Sequence, residues 1–141
     1  MGELVLTIDS GDPMGWALWL DRELQQASSC GLDVFKREWL ERGLELDLAI
    51  YELPNFVARG SVEDITRCGA RGGEAAGWTR AREIRNVTPM KWKGQVPKKI
   101  MIERIQGSCT AIELARVRGK ASHCWDAIGL GLSHFGRLNL F

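Results

Sequence analysis

The sequence predicts a single α/β domain built on a mixed five-stranded sheet, in which an antiparallel meander precedes strands joined by crossover helices. Three short apolar stretches joined by short turns come first, and two further apolar stretches then alternate with helical patterns. The 141 residues contain no repeat and no long linker, so residues 1–141 fit one domain.

The meander begins with "LVLTIDSGDPMGWALW", residues 4–19, in which an apolar strand runs directly into a carboxylate. Strands are predicted over 4–9, 15–20 and 24–31. Asp9 ends the first of them, and a carboxylate in an apolar setting is costly unless something compensates its charge. The turn after Asp9 is small, polar and bounded by glycines.

Helical and strand patterns alternate through the rest of the chain. The predicted elements are a helix over 34–46, a strand over 48–53, a helix over 61–79, a strand over 83–87, a helix over 97–105, an amphipathic stretch over 110–117 and a helix over 122–135. Ser61 is a capping residue with Asp64 three residues later, and Pro97 suits the first turn of a helix.

Charge is divided unevenly along the chain, although the formal net charge is only +1. Residues 1–58 carry four basic and eleven acidic side chains, whereas residues 59–120 carry fourteen basic and six acidic ones. This division suggests a polyanion as partner of the middle segment, and a solvated basic surface without a partner is the alternative.

Composition argues against several other classes of protein. The four cysteines form no CxxC pair, which argues against a zinc knuckle or a disulfide scaffold and favours free thiols. No apolar run reaches the roughly 18 residues of a membrane span, and no leader pattern begins the chain. We therefore expect a soluble, cytoplasmic protein without a membrane partner.

Three carboxylates and a histidine are candidate ligands of a divalent metal. Asp9 and Glu52 end the first and fourth strands, and His123 and Asp126 share one face at the start of the last helix. Clustered carboxylates repel each other, and Mg²⁺ or Mn²⁺ relieves the repulsion. Each residue alone has a simpler explanation: a turn for Asp9, an ion pair with an arginine such as Arg59 for Glu52, the helix dipole for Asp126, and a capping or surface position for His123.

Four segments together resemble the RuvC-type Holliday junction resolvases of the RNase H-like nuclease superfamily, nearest to phage or viral members. The segments are "TIDSGDPMGWAL", "IYELPNF", "PMKWKGQVPKK" and "SHCWDAIGLGLSHF". They follow the family's order and spacing. The resemblance implies an RNase H-like fold and a structure-specific endodeoxyribonuclease that resolves four-way DNA junctions.

The resemblance also implies what the site residues do. Asp9, Glu52 and Asp126 match the family's catalytic, metal-binding carboxylates, and His123 stands where some members have aspartate. Two Mg²⁺ ions, replaceable by Mn²⁺, would lie about 4 Å apart and hydrolyse the phosphodiester by in-line displacement. Asp9 would bridge the two ions, while His123 would bind one of them or orient the attacking water.

A DNA-binding surface follows from the same resemblance and from the charge. The side chains expected to contact phosphate are Arg59, Arg67, Arg71, Arg80, Arg82, Arg85, Lys91, Lys93, Lys98 and Lys99. The register of the four lysines is open by a residue or two. Phe56, after the fourth strand, would wedge between bases at the junction, with ordinary packing beneath Pro54 as the alternative.

Symmetric cutting of a four-way junction needs two active sites, which implies a homodimer. The helix over 61–79 has a small-residue face formed by Gly69, Gly73, Ala76 and Gly77. The resemblance assigns the dimer interface to this helix. Packing of these small residues against the protein's own sheet is the alternative.

Three other functions remain open. A related nuclease would act on other branched DNA. The D-x-G pattern at Asp9 also begins the actin-like ATPase fold, but that fold needs two domains and a second phosphate loop, so we expect no nucleotide cofactor. A catalytically silent DNA-binding relative is the third alternative, and the retention of all three carboxylates argues against it.

Overall fold

The computed structural model describes residues 2–11, 13–53, 62–118 and 122–139. The strands are β1 (Leu4–Asp9), β2 (Met14–Leu20), β3 (Glu23–Cys30), β4 (Leu48–Glu52) and β5 (Glu83–Val87). The helices are α1 (Leu32–Arg42), α2 (Val62–Trp78), α3 (Pro89–Trp92), α4 (Lys98–Ser108), α5 (Ala111–Ala115) and α6 (Ser122–His134). The sheet order is β3-β2-β1-β4-β5.

The sheet is mixed, as the sequence predicts. β1 and β3 each pair antiparallel with β2, whereas β4 lies parallel to β1 on one side and to β5 on the other. Because four of the five strands point the same way, the carboxyl ends of β1 and β4 meet at one edge of the sheet. The predicted fold class is confirmed.

Alternation along the strands divides the interior into two cores. In β1, Leu6 and Ile8 point to the face covered by α1 and α2, and Val5 points to the opposite face, covered by α4 and α6. All three side chains are fully buried. Strands buried on both faces have nearly continuous apolar sequences, which explains the unbroken apolar run of β1.

A buried hydrogen-bond chain fixes α6 on the sheet. The Thr7 hydroxyl donates to the carbonyl of Ala127 over 2.7 Å and accepts from the indole N–H of Trp19 over 3.0 Å. Gly131 leaves room for the same indole, since a Cβ there would lie 2.2 Å from its ring. These contacts hold the start of α6 beside the carboxyl end of β1.

Several element boundaries differ from the sequence prediction. The first helix ends at Arg42 rather than near residue 46, because Gly43 takes the left-handed conformation (φ 60°) that ends helices. The basic loop begins with a single helical turn, α3, and Pro97 is the N-cap of α4, which continues to Ser108. The Ser61 cap lies outside the described residues.

The helix α2 turns most of its small residues toward its own sheet. Ala76 is fully buried, and a Cβ at Gly73 would lie 3.5 Å from the Tyr51 hydroxyl. Gly69 is half-buried, whereas Gly77 is exposed and a Cβ there would meet nothing within 4 Å. Packing against the sheet therefore accounts for Ala76, whereas Gly73 has room for a Cβ at van der Waals distance from Tyr51, and the homodimer stays a prediction.

A buried ion pair links the chain's last turns to its middle. Glu113, which is fully buried, accepts hydrogen bonds from the guanidinium of Arg137 over 2.5 and 2.9 Å. The backbone N–H groups of Leu24 and Thr110 also donate to the Glu113 carboxylate. Burial alone would raise the pKa of Glu113, but these hydrogen bonds outweigh it and lower the pKa to about 2.

Among the described helices, none combines the length and the apolarity needed to cross a lipid bilayer.

Candidate active site

Two strand ends place the first two carboxylates side by side. β1 and β4 pair in parallel, and Ile8 lies opposite Tyr51. Asp9 and Glu52 are the next residues of these two strands, so they lie at the same edge of the sheet. The Ser10 hydroxyl donates to the backbone carbonyl of Glu52 over 2.8 Å and ties the two ends together. Asp9 is 7% exposed, which is low for a carboxylate.

The start of α6 brings the other two predicted residues to the same edge. Nδ1 of His123 lies 2.7 Å from Oδ2 of Asp9. Asp9, His123 and Asp126 each offer one ligand atom, and these three atoms all lie within 4.8 Å of one another. We refer to these three residues as the metal cluster. The two carboxylates suit Mg²⁺ or Mn²⁺, whereas an imidazole is a ligand typical of softer transition metals.

Two glycines make this close approach possible. A Cβ at Gly11 would lie 2.4 Å from the His123 ring, and a Cβ at Gly15 would lie 1.9 Å from the His123 carbonyl oxygen. Any side chain at either position would push α6 away from Asp9. The glycine-bounded turn after β1 is therefore explained by the helix that packs on it.

Glu52 lies beside the metal cluster, and its carboxylate has its own partners. The indole N–H of Trp92 donates to Oε2 of Glu52 over 2.7 Å. Nζ of Lys93 lies 3.7 Å from the same oxygen and 3.8 Å from Oδ1 of Asp126. Lys93 thus bridges the two carboxylates, while Arg59, the alternative partner of Glu52, lies outside the described residues.

The charge of the site is poorly compensated by the protein alone. Burial raises the pKa of Glu52 to about 7; Lys93 opposes this rise, while Asp9 adds to it. Burial also raises the pKa of Asp126, and the hydrogen bond to Asp9 raises the pKa of His123. A bound cation would stabilise the ionised form of these buried carboxyl groups, which burial makes unfavourable.

Basic side chains surround one side of the site. Lys93 and Lys98 line a cleft of about 120 Å³ together with Asp126. A guanidinium N–H of Arg71 donates to the Ser10 carbonyl over 3.3 Å, so Arg71 lies beside the loop that follows Asp9. Lys99 is exposed on the first turn of α4.

The other predicted DNA contacts lie elsewhere on the protein or outside the described residues. Arg80 and Arg82 lie between the end of α2 and the start of β5, and the backbone N–H of Arg82 donates to Leu46, just before β4 begins. They are therefore at the opposite end of the strands from Asp9. Arg85 pairs with Glu83 on β5. Phe56, Arg59 and the Lys91 side chain lie outside the described structure.

Trp92 is a site residue that the sequence analysis missed. It is the aromatic residue between two lysines in "PMKWKGQVPKK", and aromatic residues among basic ones are expected on nucleic-acid surfaces. The structure buries it instead, with 7% exposed, and points its N–H at Glu52. Nothing in the local pattern distinguishes the two environments.

The fold matches solved structures over nearly the whole chain. RuvC from Thermus thermophilus superposes with a TM-score of 0.63 at 17% identity, covering 94% of this chain and 93% of that one. The chain has the RuvC fold. Thermus RuvC in complex with a Holliday junction substrate gives a TM-score of 0.64 at 16% identity, covering 94% and 92%.

The two comparisons of sequence found no relative. No protein-family model matches the chain, and no curated protein sequence matches it. Both RuvC structures come from Thermus thermophilus, and the closer relation to phage or viral members stays a prediction.

Proposed function

We propose that this protein is a metal-dependent endodeoxyribonuclease that resolves four-way DNA junctions. The observation that supports this most strongly is the convergence of Asp9, His123 and Asp126 within 4.8 Å, with Glu52 beside them. They lie at the carboxyl end of a RuvC-fold sheet, and a RuvC of the same fold has been solved with a Holliday junction substrate.

The site residues would have different roles in phosphodiester hydrolysis. Asp9, Glu52, Asp126 and His123 would hold two Mg²⁺ or Mn²⁺ ions, which supply an activated water and stabilise the leaving oxygen when bound. His123, whose Nδ1 lies 2.7 Å from Oδ2 of Asp9, would bind one ion or orient the attacking water. Lys93, which lies beside the Glu52 and Asp126 carboxylates, would stabilise the charge that develops on the phosphate in the transition state.

DNA would lie over the basic side of the site. Arg71, Lys93, Lys98 and Lys99 form the described part of this surface, and Lys91 and Arg59 extend it in our proposal. Phe56 would open the stacked bases at the junction. A homodimer joined through α2 would present two such sites to one junction and cut it symmetrically.

Nicking of a synthetic four-way junction tests the proposed function. We expect cleavage with Mg²⁺ or Mn²⁺ and none with EDTA, and we expect a linear duplex of the same sequence to remain intact. Measurement of ATP hydrolysis under the same conditions tests the ATPase alternative, for which we expect no turnover. Metal-independent binding without cleavage would instead support the silent DNA-binding alternative.

Salt dependence tests the basic surface. Each phosphate contact contributes a slope of about −0.9 to log affinity against log salt, so Lys98→Ala should reduce the slope by about one contact. Arg82→Ala is the matched control, because Arg82 lies at the opposite end of the strands. Fluorescence anisotropy with a labelled junction and Ca²⁺ gives both slopes. Equal slopes for the two variants would exclude Lys98 from the DNA interface.

The pH profile of cleavage tests His123. Its pKa is raised by the hydrogen bond to Asp9, so it gains a proton more readily than a free imidazole, and imidazolium cannot bind metal. We expect wild-type cleavage to decline as the pH falls below neutrality. His123→Asp should move this decline to lower pH, because a carboxylate stays ionised there. Identical profiles at equal metal concentration would mean that His123 is not a ligand in the rate-limiting step.

A further inference from the structure

Trp92 combines a buried ring with a polar contact to the active site. The residue ends the short helix α3, is 7% exposed and belongs to the core beneath α6. Its indole N–H donates to Oε2 of Glu52 over 2.7 Å. The neighbouring Lys93 ammonium lies farther from that oxygen, at 3.7 Å. Within the described residues, Trp92 makes the shortest polar contact to the Glu52 carboxylate.

The helix α6 is shaped around this ring. Gly129 lies one turn after Asp126, and a Cβ at Gly129 would lie 2.6 Å from Cζ3 and 2.9 Å from Cη2 of Trp92. Glycine in the middle of a helix costs up to about 1 kcal/mol relative to alanine, so a packing reason is expected for it. Here the glycine makes space for the indole, and the packed ring holds its N–H in a fixed direction.

The contact restricts a carboxylate that has few other restraints. A glutamate side chain has three rotatable bonds, and holding it in one orientation costs conformational entropy when metal binds. A hydrogen bond from a rigid indole fixes the orientation before the metal arrives. Hydrogen-bond partners of metal-binding carboxylates commonly change metal affinity 10–100-fold when removed.

We propose that Trp92 is a positioning residue that fixes the Glu52 carboxylate through its indole N–H and thereby sets the affinity of the site for divalent metal. The inference rests on the proposed function, because it assigns Trp92 to the same metal site. Trp92 would act through Glu52 and not as a ligand, because an indole N–H is a hydrogen-bond donor only. Its effect is therefore expected in metal binding rather than in the chemical step.

Binding of Mn²⁺ to the DNA-free protein, followed by calorimetry, tests the proposal. Trp92→Phe keeps most of the ring and removes the N–H, and we expect Mn²⁺ to bind 10–100-fold more weakly. Trp39→Phe is the matched control, because the buried Trp39 N–H has no hydrogen-bond partner among the described residues. We expect it to leave the Mn²⁺ affinity unchanged. Equal affinities of the Trp92 variant and wild type would overturn the proposal.

Two further measurements distinguish positioning of Glu52 by the indole N–H from packing of the Trp92 ring. Replacement of Trp92 with the isosteric benzothienylalanine removes the N–H without altering the shape of the ring, and we expect the same loss of Mn²⁺ affinity. With saturating Mg²⁺, both Trp92 variants should recover wild-type kcat on the junction, while the Mg²⁺ concentration for half-maximal cleavage rises. Wild-type Mn²⁺ affinity in the benzothienylalanine protein would overturn the role of the N–H. No Mn²⁺ binding by the wild-type protein would overturn the metal site itself.

Discussion

Replacing Asp9 with asparagine is expected to abolish DNA cleavage while four-way junction binding persists. In our proposal Asp9 contributes a charged metal ligand, and asparagine has nearly the same shape without the charge. Metal ions supply several kcal/mol of transition-state stabilisation, so the cleavage rate should fall by about a thousandfold or more. The basic side chains that we propose to contact phosphate are unchanged: Arg71, Lys93, Lys98 and Lys99.

Single-turnover cleavage and gel-shift binding of the same junction measure the two effects separately. Asp33→Asn is a matched control, because Asp33 is an exposed aspartate on α1, on the far side of the sheet from α6. It should leave both cleavage and binding unchanged. Loss of junction binding in step with cleavage would mean that Asp9 acts on the structure of the protein and not on its chemistry.

Arg137→Met is expected to destabilise the fold strongly. It would leave Glu113, which is fully buried, without its charged partner. Removal of one partner of a buried ion pair costs about 3–5 kcal/mol. For a domain of this size, a loss of about 3 kcal/mol lowers the melting temperature by about 10 °C. Arg85→Met is the matched control, because it breaks an exposed pair with Glu83 and should not shift the melting temperature.

Lowering the pH should reduce the difference in melting temperature between wild type and Arg137→Met. The pKa of Glu113 is about 2 in the folded protein against an ordinary value of 4.5. Below pH 5 the unfolded chain therefore takes up a proton that the folded protein does not, and wild-type stability falls toward pH 2. The variant lacks this depressed pKa. Thermal melts between pH 7 and pH 3 measure the two melting temperatures. A difference between them that does not change with pH would mean that Arg137 does not set the pKa of Glu113.

The sequence predicted the sheet and the main candidate ligands because their patterns are local. An apolar strand that ends in Asp9 can be recognised from six residues, and so can the helical spacing of His123 and Asp126. The adjacency of Asp9 and Glu52 needed only one further step, the parallel pairing of β1 with β4. These are the features that periodicity and strand order determine.

What the sequence did not reveal depends on contacts between distant segments. Trp92 meets Glu52 across 40 positions, and Arg137 meets Glu113 across 24. Neither contact can be predicted from the periodic spacing of apolar residues along the sequence. The two glycines of "IGLGL" are unfavourable in a helix by their intrinsic propensity. In the structure, the indole of Trp92 occupies the space beside Gly129, and the indole of Trp19 occupies the space beside Gly131. Gly43 ended the first helix early through its backbone conformation, which apolar spacing does not report.

Mapping of the cleaved strands is the most direct test of junction resolution. Each strand of a four-way junction would be end-labelled in turn, incubated with the protein and Mg²⁺, and treated with DNA ligase after removal of the protein. We predict paired nicks at symmetric positions in two opposing strands, with ends that ligase seals, and no nicks with Asp9→Asn. Cuts spread along the duplex arms, or nicks that ligase cannot seal, would contradict the proposed function.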